Sequence, residues 1–219
     1  MRAMILAAGR GERMRPLTDT TPKPMLTVAG KPLVQWHVEA LAAAGIQEIV
    51  INLAWLGEQI RDHLADGRRW DVNIEYSLEA QALETGGGVF QALPLLGEEP
   101  FVLLSADVWT DYPLTRLRTL PSAQDMAHFV LVPNPDFHPR GDFALQAGRI
   151  GTEGERLTYG NVGVFRPAFF AGCQPGRFAL APLMHRWVER GQVSGECHRG
   201  AWHNLGTPAQ LRALNQTLT

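Results

Sequence analysis

Lysine is scarce in this chain: of its 20 basic residues only Lys23 and Lys31 are lysine, and the rest are arginine. Where arginine serves nearly everywhere, a retained lysine marks a place for a compact ammonium rather than a planar fork. Cysteine is equally sparse. Cys173 and Cys197 stand alone, without CxxC or Cys/His metal spacing, which argues against a zinc module and leaves both as small buried residues. There is no run of about 18 apolar residues and no charged-then-apolar leader, so the expectation is a soluble cytoplasmic protein that does not engage a membrane. A net charge of −2 and a pI near 6.4 argue against nucleic acid as a partner. The Gly-x-Ser-x-Gly elbow of serine hydrolases is missing.

Against this background the first residues stand out. Met4, Ile5, Leu6 and Ala7 form a short apolar run suited to a buried strand, followed by Ala8, Gly9, Arg10, Gly11, Glu12 and Arg13. Glycines there let the backbone approach another group closely, and amide N–H groups in such a turn can face phosphate oxygens. From Met1 to Lys31 there are six basic residues (Arg2, Arg10, Arg13, Arg15, Lys23, Lys31) and two acidic ones (Glu12, Asp19), so this segment is +4 in a chain of −2. A polyphosphate is the ligand such a concentration suits. Two familiar glycine motifs fit poorly: Met14 occupies the third glycine position of a dinucleotide fingerprint, and the GKS or GKT of a P-loop is absent. A solvated glycine-rich turn is the bland alternative, weakened by Lys23 between Pro22 and Pro24, whose backbone is restricted on both sides. Lys31, next to Pro32 at a helix start, reads as structural or peripheral.

At 219 residues with 45% hydrophobic content, the chain is expected to form one domain over 1–219. Apolar strands alternate with helical patterns through the first half. Expected strands lie at Glu48–Leu53, Val72–Tyr76 and Phe101–Leu104, with helices from about Pro32 to Ala44, Leu56 to Leu64 and Val89 to Leu95. This pattern predicts an α/β protein with a Rossmann-like, mostly parallel sheet flanked by helices. The second half is less regular, with short strands expected at Phe129–Val132, Phe143–Gln146 and Val162–Phe165, and helices near 180–190 and 208–218.

Ligands of open α/β sheets bind beyond the carboxyl ends of the strands, which groups the Gly9–Arg13 turn with Asp107 at neighbouring strand ends. A carboxylate beside a basic phosphate turn suits Mg²⁺, which takes hard oxygen ligands and commonly one or two carboxylates. Asp111, four residues on, either supports that site from behind or caps the segment at Tyr112-Pro113, and capping is favoured.

LAAGRGERMRPLTDTTPKPML resembles the signature of the sugar-1-phosphate nucleotidyltransferases, with Gly9, Gly11, Arg13 and Lys23 in its glycine, arginine and lysine positions. The resemblance runs along nearly the whole chain. SLEAQALETGGGV is similar to the base and sugar loop, SADVWTDY to the metal strand, RGDFAL and YGNVGVF to the sugar side, and WHNLGTPAQL to the closing metal segment. It implies a fold of the nucleotide-diphospho-sugar transferase type and two substrates, a nucleoside triphosphate and a sugar 1-phosphate. It implies Arg13 and Lys23 as catalytic groups and Ala7, Ala8, Gly9, Gly11, Glu79, Gln81, Thr85, Gly86, Ala106, Asp142 and Asn161 as substrate contacts. Mg²⁺ would sit at Asp107 and Asn204. Two positions depart from the pattern: Ala106 replaces the usual glycine, and Asn204 the usual aspartate. Asparagine keeps a carbonyl oxygen for a cation but loses the negative charge, and Asn204 also reads as a plain turn residue.

The implied reaction is direct displacement: a phosphate oxygen of the sugar 1-phosphate attacks the α-phosphorus, and pyrophosphate leaves. UTP and N-acetylmuramate 1-phosphate are the expected pair, in cell-wall recycling. Base choice stays open, because Glu79 suits the N1–H and N2–H₂ donors of guanine, whereas Gln81 or backbone groups suit uracil. A mannose- or heptose-1-phosphate guanylyltransferase, or a non-catalytic nucleotide-sugar binding protein, is therefore the alternative. Arg140 or Arg199 is the candidate clamp for the sugar phosphate, since no lysine follows position 31. His128, His138, His198 and His203 lack a nucleophile partner or metal spacing. Trp55 either meets a partner or completes the core, and monomer and homodimer both stay open.

Overall fold

In a computed structural model, which describes residues 1–118 and 122–218, the chain builds a nine-stranded sheet with helices on both faces. Its elements run in the order β1 (Ala3–Leu6), β2 (Thr27–Val28), β3 (Lys31–Pro32), α1 (Leu33–Ala43), β4 (Glu48–Leu53), α2 (Gly57–Leu64), β5 (Asn73–Leu78), α3 (Glu84–Leu96) and β6 (Phe101–Ser105). There follow β7 (Val108–Thr110), β8 (Ala127–Val132), β9 (Phe143–Gln146), β10 (Arg149–Gly151), β11 (Arg156–Phe165), α4 (Ala181–Glu189), β12 (Val193–Cys197), β13 (Trp202–Asn204) and α5 (Pro208–Leu218).

Strand β1 is central because nearly every side chain in it is apolar, and a strand covered on both faces must be. Ala3 and Ile5 point to one face and meet Val34, Val38 and Leu41 of α1 with Ile60 and Leu64 of α2. Met4 points to the other face, with Val89, Ala92 and Leu96 of α3. The sheet order is β5-β4-β1-β6-β11-β8-β12-β10-β9. The expected mostly parallel sheet needs correction. Strands β5, β4, β1 and β6 run parallel, but β11 enters antiparallel beside β6 and β8, and β9 and β10 are antiparallel as well. The sheet is mixed because β11 inserts between β6 and β8 antiparallel to both and β9 and β10 form an antiparallel hairpin at the edge, while β12, reached through α4, runs parallel to β8. Strand β11 is also longer than expected, with a register shift between Tyr159 and Val162 that places Asn161 at φ 57°.

Helix α3 starts at Glu84, five residues before the expected Val89, so Gly86, Gly87 and Gly88 are helical. Glycine is a poor helix residue, and the reason for three here is steric. A Cβ on Gly86 would stand 2.5 Å from the Phe178 ring, one on Gly87 2.2 Å from the carbonyl oxygen of Gly176, and one on Gly88 2.6 Å from Glu79 Oε1. The segment around Phe178 crosses the first turn of α3 and is fastened to it, with Phe178 N–H donating to Leu83 O (3.1 Å) and Gly87 N–H to Phe178 O (3.0 Å).

Three smaller expectations resolve in this frame. Cys173 and Cys197 are half-buried thiols, not the fully buried residues expected. Lys31 is structural: its ammonium pairs with Glu39 Oε2 at 2.5 Å and lies over the Trp36 ring. Trp55 is half-buried beside the glycine turn, its Nε1–H donating to Thr18 O at 3.0 Å while Arg10 stacks on its ring at 4.2 Å.

His37 in α1 is buried, and desolvation pushes its pKa down from 6.5 to about 4, against the opposing pull of the Asp107 charge. The unfolded chain therefore binds this proton first as pH falls. The stability that His37 contributes is complete above about pH 6.5 and is lost between 6.5 and 4. At pH 5 the loss from this one group amounts to about 2 kcal/mol. Urea unfolding of wild type and His37→Met at pH 7 and pH 5 checks it: the variant is expected to lose less stability across that interval by this amount.

Candidate active site

The carboxyl ends of β1 and β6 lie side by side, with Leu6 paired to Ser105. The turns that leave these two strands form one wall of a cavity of about 610 Å³. Ala7, Ala8, Gly9, Gly11, Arg13, Lys23, Glu79, Thr85, Ala106 and Asp107 all line it.

Gly11 holds a left-handed backbone at φ 67°, and Thr18 Oγ1–H donates to its carbonyl at 2.8 Å, so the turn folds back on itself. A Cβ on Gly11 would stand 3.0 Å from Thr18 Cγ2 and 3.1 Å from Lys23 Cβ, which packs the glycine turn directly against the lysine. Lys23 opens a short 3-10 turn, Lys23–Met25, and its Nζ reaches Asp107 Oδ2 at 2.7 Å with only 11% of the side chain exposed. Arg13 extends to the opposite side, against Gly206 after β13. Three cations, Arg10, Arg13 and Lys23, thus share a cavity.

Asp107 follows β6, and the β7–β13 ribbon folds back beside it. Asn204 pairs with Val108, and Leu205 N–H donates to the Asp107 carbonyl at 2.8 Å. Asn204 Oδ1 is buried and has no hydrogen-bond partner among the described residues. A buried acceptor without a donor carries a desolvation cost, and a cation would relieve it. Asp107 lines the cavity and Asn204 does not; the two are linked through the backbone of the β7–β13 ribbon, and an amide and a carboxylate oxygen are donors of the hard kind that Mg²⁺ takes.

Several expected contacts take other places. Gln81 is exposed and outside the cavity, and Gly86 is covered by Phe178. Asp142 is engaged as a fastener, accepting from Tyr159 N–H at 2.8 Å and pairing with His138 at 3.0 Å. Neither Asp142 nor Asn161 lines the cavity, and Arg140 and Arg199 are exposed away from it. Asp111 does not cap Tyr112, whose N–H is taken by Thr110 Oγ1. Its carboxylate meets His198 Nε2 at 2.7 Å instead. His128 bonds Ser194 at 3.0 Å and faces Glu196, and burial pushes its pKa down against that carboxylate.

Glu79 also differs from the expectation of a free base reader. It is buried, Asn52 Nδ2–H donates to its Oε1 at 2.6 Å, and Leu83 N–H donates to its Oε2 at 3.0 Å. Sequence reasoning passed over Asn52, although a single polar residue inside the apolar run Ile49-Val50-Ile51-Asn52-Leu53 of a covered strand is a signal of buried polar work. It also passed over Glu84, whose φ of 60° is unusual for a side chain of that size and which faces the cavity while pairing with Arg177 at 2.9 Å.

Comparison with known proteins adds to this geometry. Residues 2–139 match the family model described as "Nucleotidyl transferase". The chain is 51% identical, over 97% of its length and 96% of the relative's, to N-acetylmuramate alpha-1-phosphate uridylyltransferase of Neisseria meningitidis serogroup B. The protein of the same name from Caulobacter vibrioides is 35% identical over 96% of this chain and 94% of its own. Among solved structures, a Bacillus anthracis protein described as a glucose-1-phosphate thymidylyltransferase superposes with a TM-score of 0.89 at 20% identity, covering 100% of this chain and 95% of that one. At that identity the likeness concerns the fold.

Proposed function

This chain belongs to the nucleotidyl transferase family and is a nucleotidyltransferase, and we propose that it transfers the uridylyl group of UTP to N-acetylmuramate 1-phosphate, releasing pyrophosphate, in the recycling of bacterial cell wall. The observation that carries the reading is the meeting of the glycine turn, Arg13, Lys23 and Asp107 in one cavity at the ends of β1 and β6. Similarity to the two uridylyltransferases over nearly the whole chain supports the choice of UTP and of the muramate sugar.

The chemistry needs no protein nucleophile. A phosphate oxygen of the sugar 1-phosphate forms a bond to the α-phosphorus as the bond to the bridging oxygen of pyrophosphate breaks. Charge builds on the equatorial and departing oxygens, and groups already aimed at them lower the barrier. The amides of Ala8 to Gly11 and the side chains of Arg13 and Lys23 do this with little reorganisation, because the turn is pinned by Thr18 and Lys23 by its two prolines. Asp107 and Asn204 would hold Mg²⁺, which when bound neutralises phosphate charge and aligns the reacting oxygens. Thr85 and the backbone of residues 82–85 form the wall for the base. Glu79 has both carboxylate oxygens engaged by Asn52 and Leu83, which weakens the guanylyl alternative built on it. With no helix long and apolar enough to cross a membrane among the described residues, a cytoplasmic setting fits this role.

The deciding experiment crosses UTP, GTP, dTTP and CTP with N-acetylmuramate, N-acetylglucosamine and mannose 1-phosphates and follows Mg²⁺-dependent pyrophosphate release. Preference for UTP with the muramate sugar is expected. Preference for GTP with mannose 1-phosphate overturns the substrate assignment, and nucleotide binding without release from any pair overturns catalysis by this cavity.

A further inference from the structure

Three separate parts of the chain are tied together in the wall of the cavity, which Asn52 and Glu79 both line, by one run of buried hydrogen bonds. Asn52 on β4 accepts from the Ala7 N–H through Oδ1 (2.8 Å) and donates through Nδ2 to Glu79 Oε1 (2.6 Å). Glu79, just after β5, accepts from Leu83 N–H through Oε2 (3.0 Å) at the start of α3. Asn52 is 2% exposed and Glu79 8%. Helix α3 rests on this run: a Cβ on Gly88 would stand 2.6 Å from Glu79 Oε1 and 2.8 Å from Asn52 Nδ2. One end of the run is the first residue of the phosphate turn, and the other adjoins Glu84 and Thr85 on the opposite wall of the cavity.

A buried carboxylate is costly unless its oxygens are bonded, and apolar side chains like the flanking Ile51 and Leu53 would hold β4 in place without that cost. What an apolar contact does not give is a directed, fixed separation between two loops. We propose that Asn52 is a positioning residue, and that its bridge to Glu79 sets the span between the phosphate turn and the wall that receives the nucleotide's base. This rests on the reading of the cavity as a nucleoside triphosphate site. Glu79 then acts on the nucleotide through Leu83 and α3, without touching the base.

The bonding pattern allows an exchange test. Asn52→Asp sets two carboxylates against each other, and Glu79→Gln leaves one acceptor oxygen where two donors arrive. In the double variant the carboxylate at position 52 accepts from Ala7 N–H and from the amide at position 79, whose oxygen accepts from Leu83 N–H. All three bonds return, and only the one between positions 52 and 79 has donor and acceptor reversed. The readout is the UTP Kd by calorimetry, with steady-state kinetics beside it.

Each single variant is expected to weaken UTP binding by about tenfold or more, the scale of one lost hydrogen bond to a charged group. The double variant is expected to return to within roughly threefold of wild type, on the same scale. The KM for the sugar 1-phosphate and kcat at saturating UTP should change far less, a split that general loosening of the fold would not produce. Singles that bind UTP like wild type overturn the proposal. So does a double variant as weak as the singles, because the carboxylate at 79 would then contact the ligand itself. If a single variant fails to fold, the double variant alone decides. Wild type that binds GTP in place of UTP fails the substrate assignment, and the same cycle run with GTP still decides the bridge.

Discussion

Lys23→Ala is expected to lower kcat by about a hundredfold or more, the loss seen when one preorganised charge-stabilising donor is removed. The lysine is placed for that work by its surroundings. Pro22 and Pro24 restrict its backbone, and Gly11 packs against its Cβ. Its ammonium already sits 2.7 Å from Asp107 with little of the side chain open to water. A charge held this way costs little reorganisation as negative charge develops on the phosphates, which a mobile surface lysine does not offer. The substitution leaves Asp107 in a partly open cavity where water replaces the ammonium, so melting temperature should move little while turnover collapses. Lys23→Arg is expected to recover only part of the rate, because a planar fork does not fit where a compact ammonium fits between two prolines. Wild-type turnover in Lys23→Ala would remove the residue from the mechanism.

The same segment shows which features are legible in a sequence. That the glycine turn, Lys23 and Asp107 meet in one cavity is legible because each follows from local rules: an apolar strand, glycines at its end, a lysine locked by prolines, a carboxylate at the end of the next apolar run; Arg13 is singled out through the family resemblance. Strands β4 and β9 and helix α5 have the residues expected of them, since their periodicity is clear and their boundaries are marked by turns. The failures have a different origin. Gly86, Gly87 and Gly88 break a helix by propensity, and what makes glycine fit there lies elsewhere in the chain: the segment around Phe178, some ninety residues on, for Gly86 and Gly87, and the Asn52–Glu79 pair for Gly88. The antiparallel half of the sheet depends on which distant strand β11 joins, which alternation of apolar residues does not encode. Glu79 looked like a free carboxylate in a loop because its partners, Asn52 and Leu83, lie on other elements. Asp142 and Asn161 likewise stand where the family motif suggests but are turned to fastening and to a bulge, outside the cavity.

The proposed cation site gives the second large effect. Asp107→Asn is expected to lower kcat by about a thousandfold, the upper range for removing one preorganised electrostatic contact, because it removes the one full negative charge of the donor set. The proposed partner ligand is already neutral: Asn204 would offer a buried carbonyl oxygen that has no donor among the described residues, and a site of two amides would hold Mg²⁺ through dipoles alone. Titration of Mn²⁺ binding by electron paramagnetic resonance in the presence of UTP separates this from a folding defect, with Asp107→Asn expected to abolish the bound signal. Asn204→Asp tests the same site in the opposite direction. Restoring a second carboxylate should tighten Mn²⁺ binding, while it also sets a new charge beside Asp107 and so draws Lys23 harder onto the pair. Tighter metal binding without a faster reaction would mean that the ammonium, pulled toward two carboxylates, is held back from the phosphates it serves. Unchanged Mn²⁺ binding in both variants would place the cation elsewhere and leave Asp107 as the partner that orients Lys23.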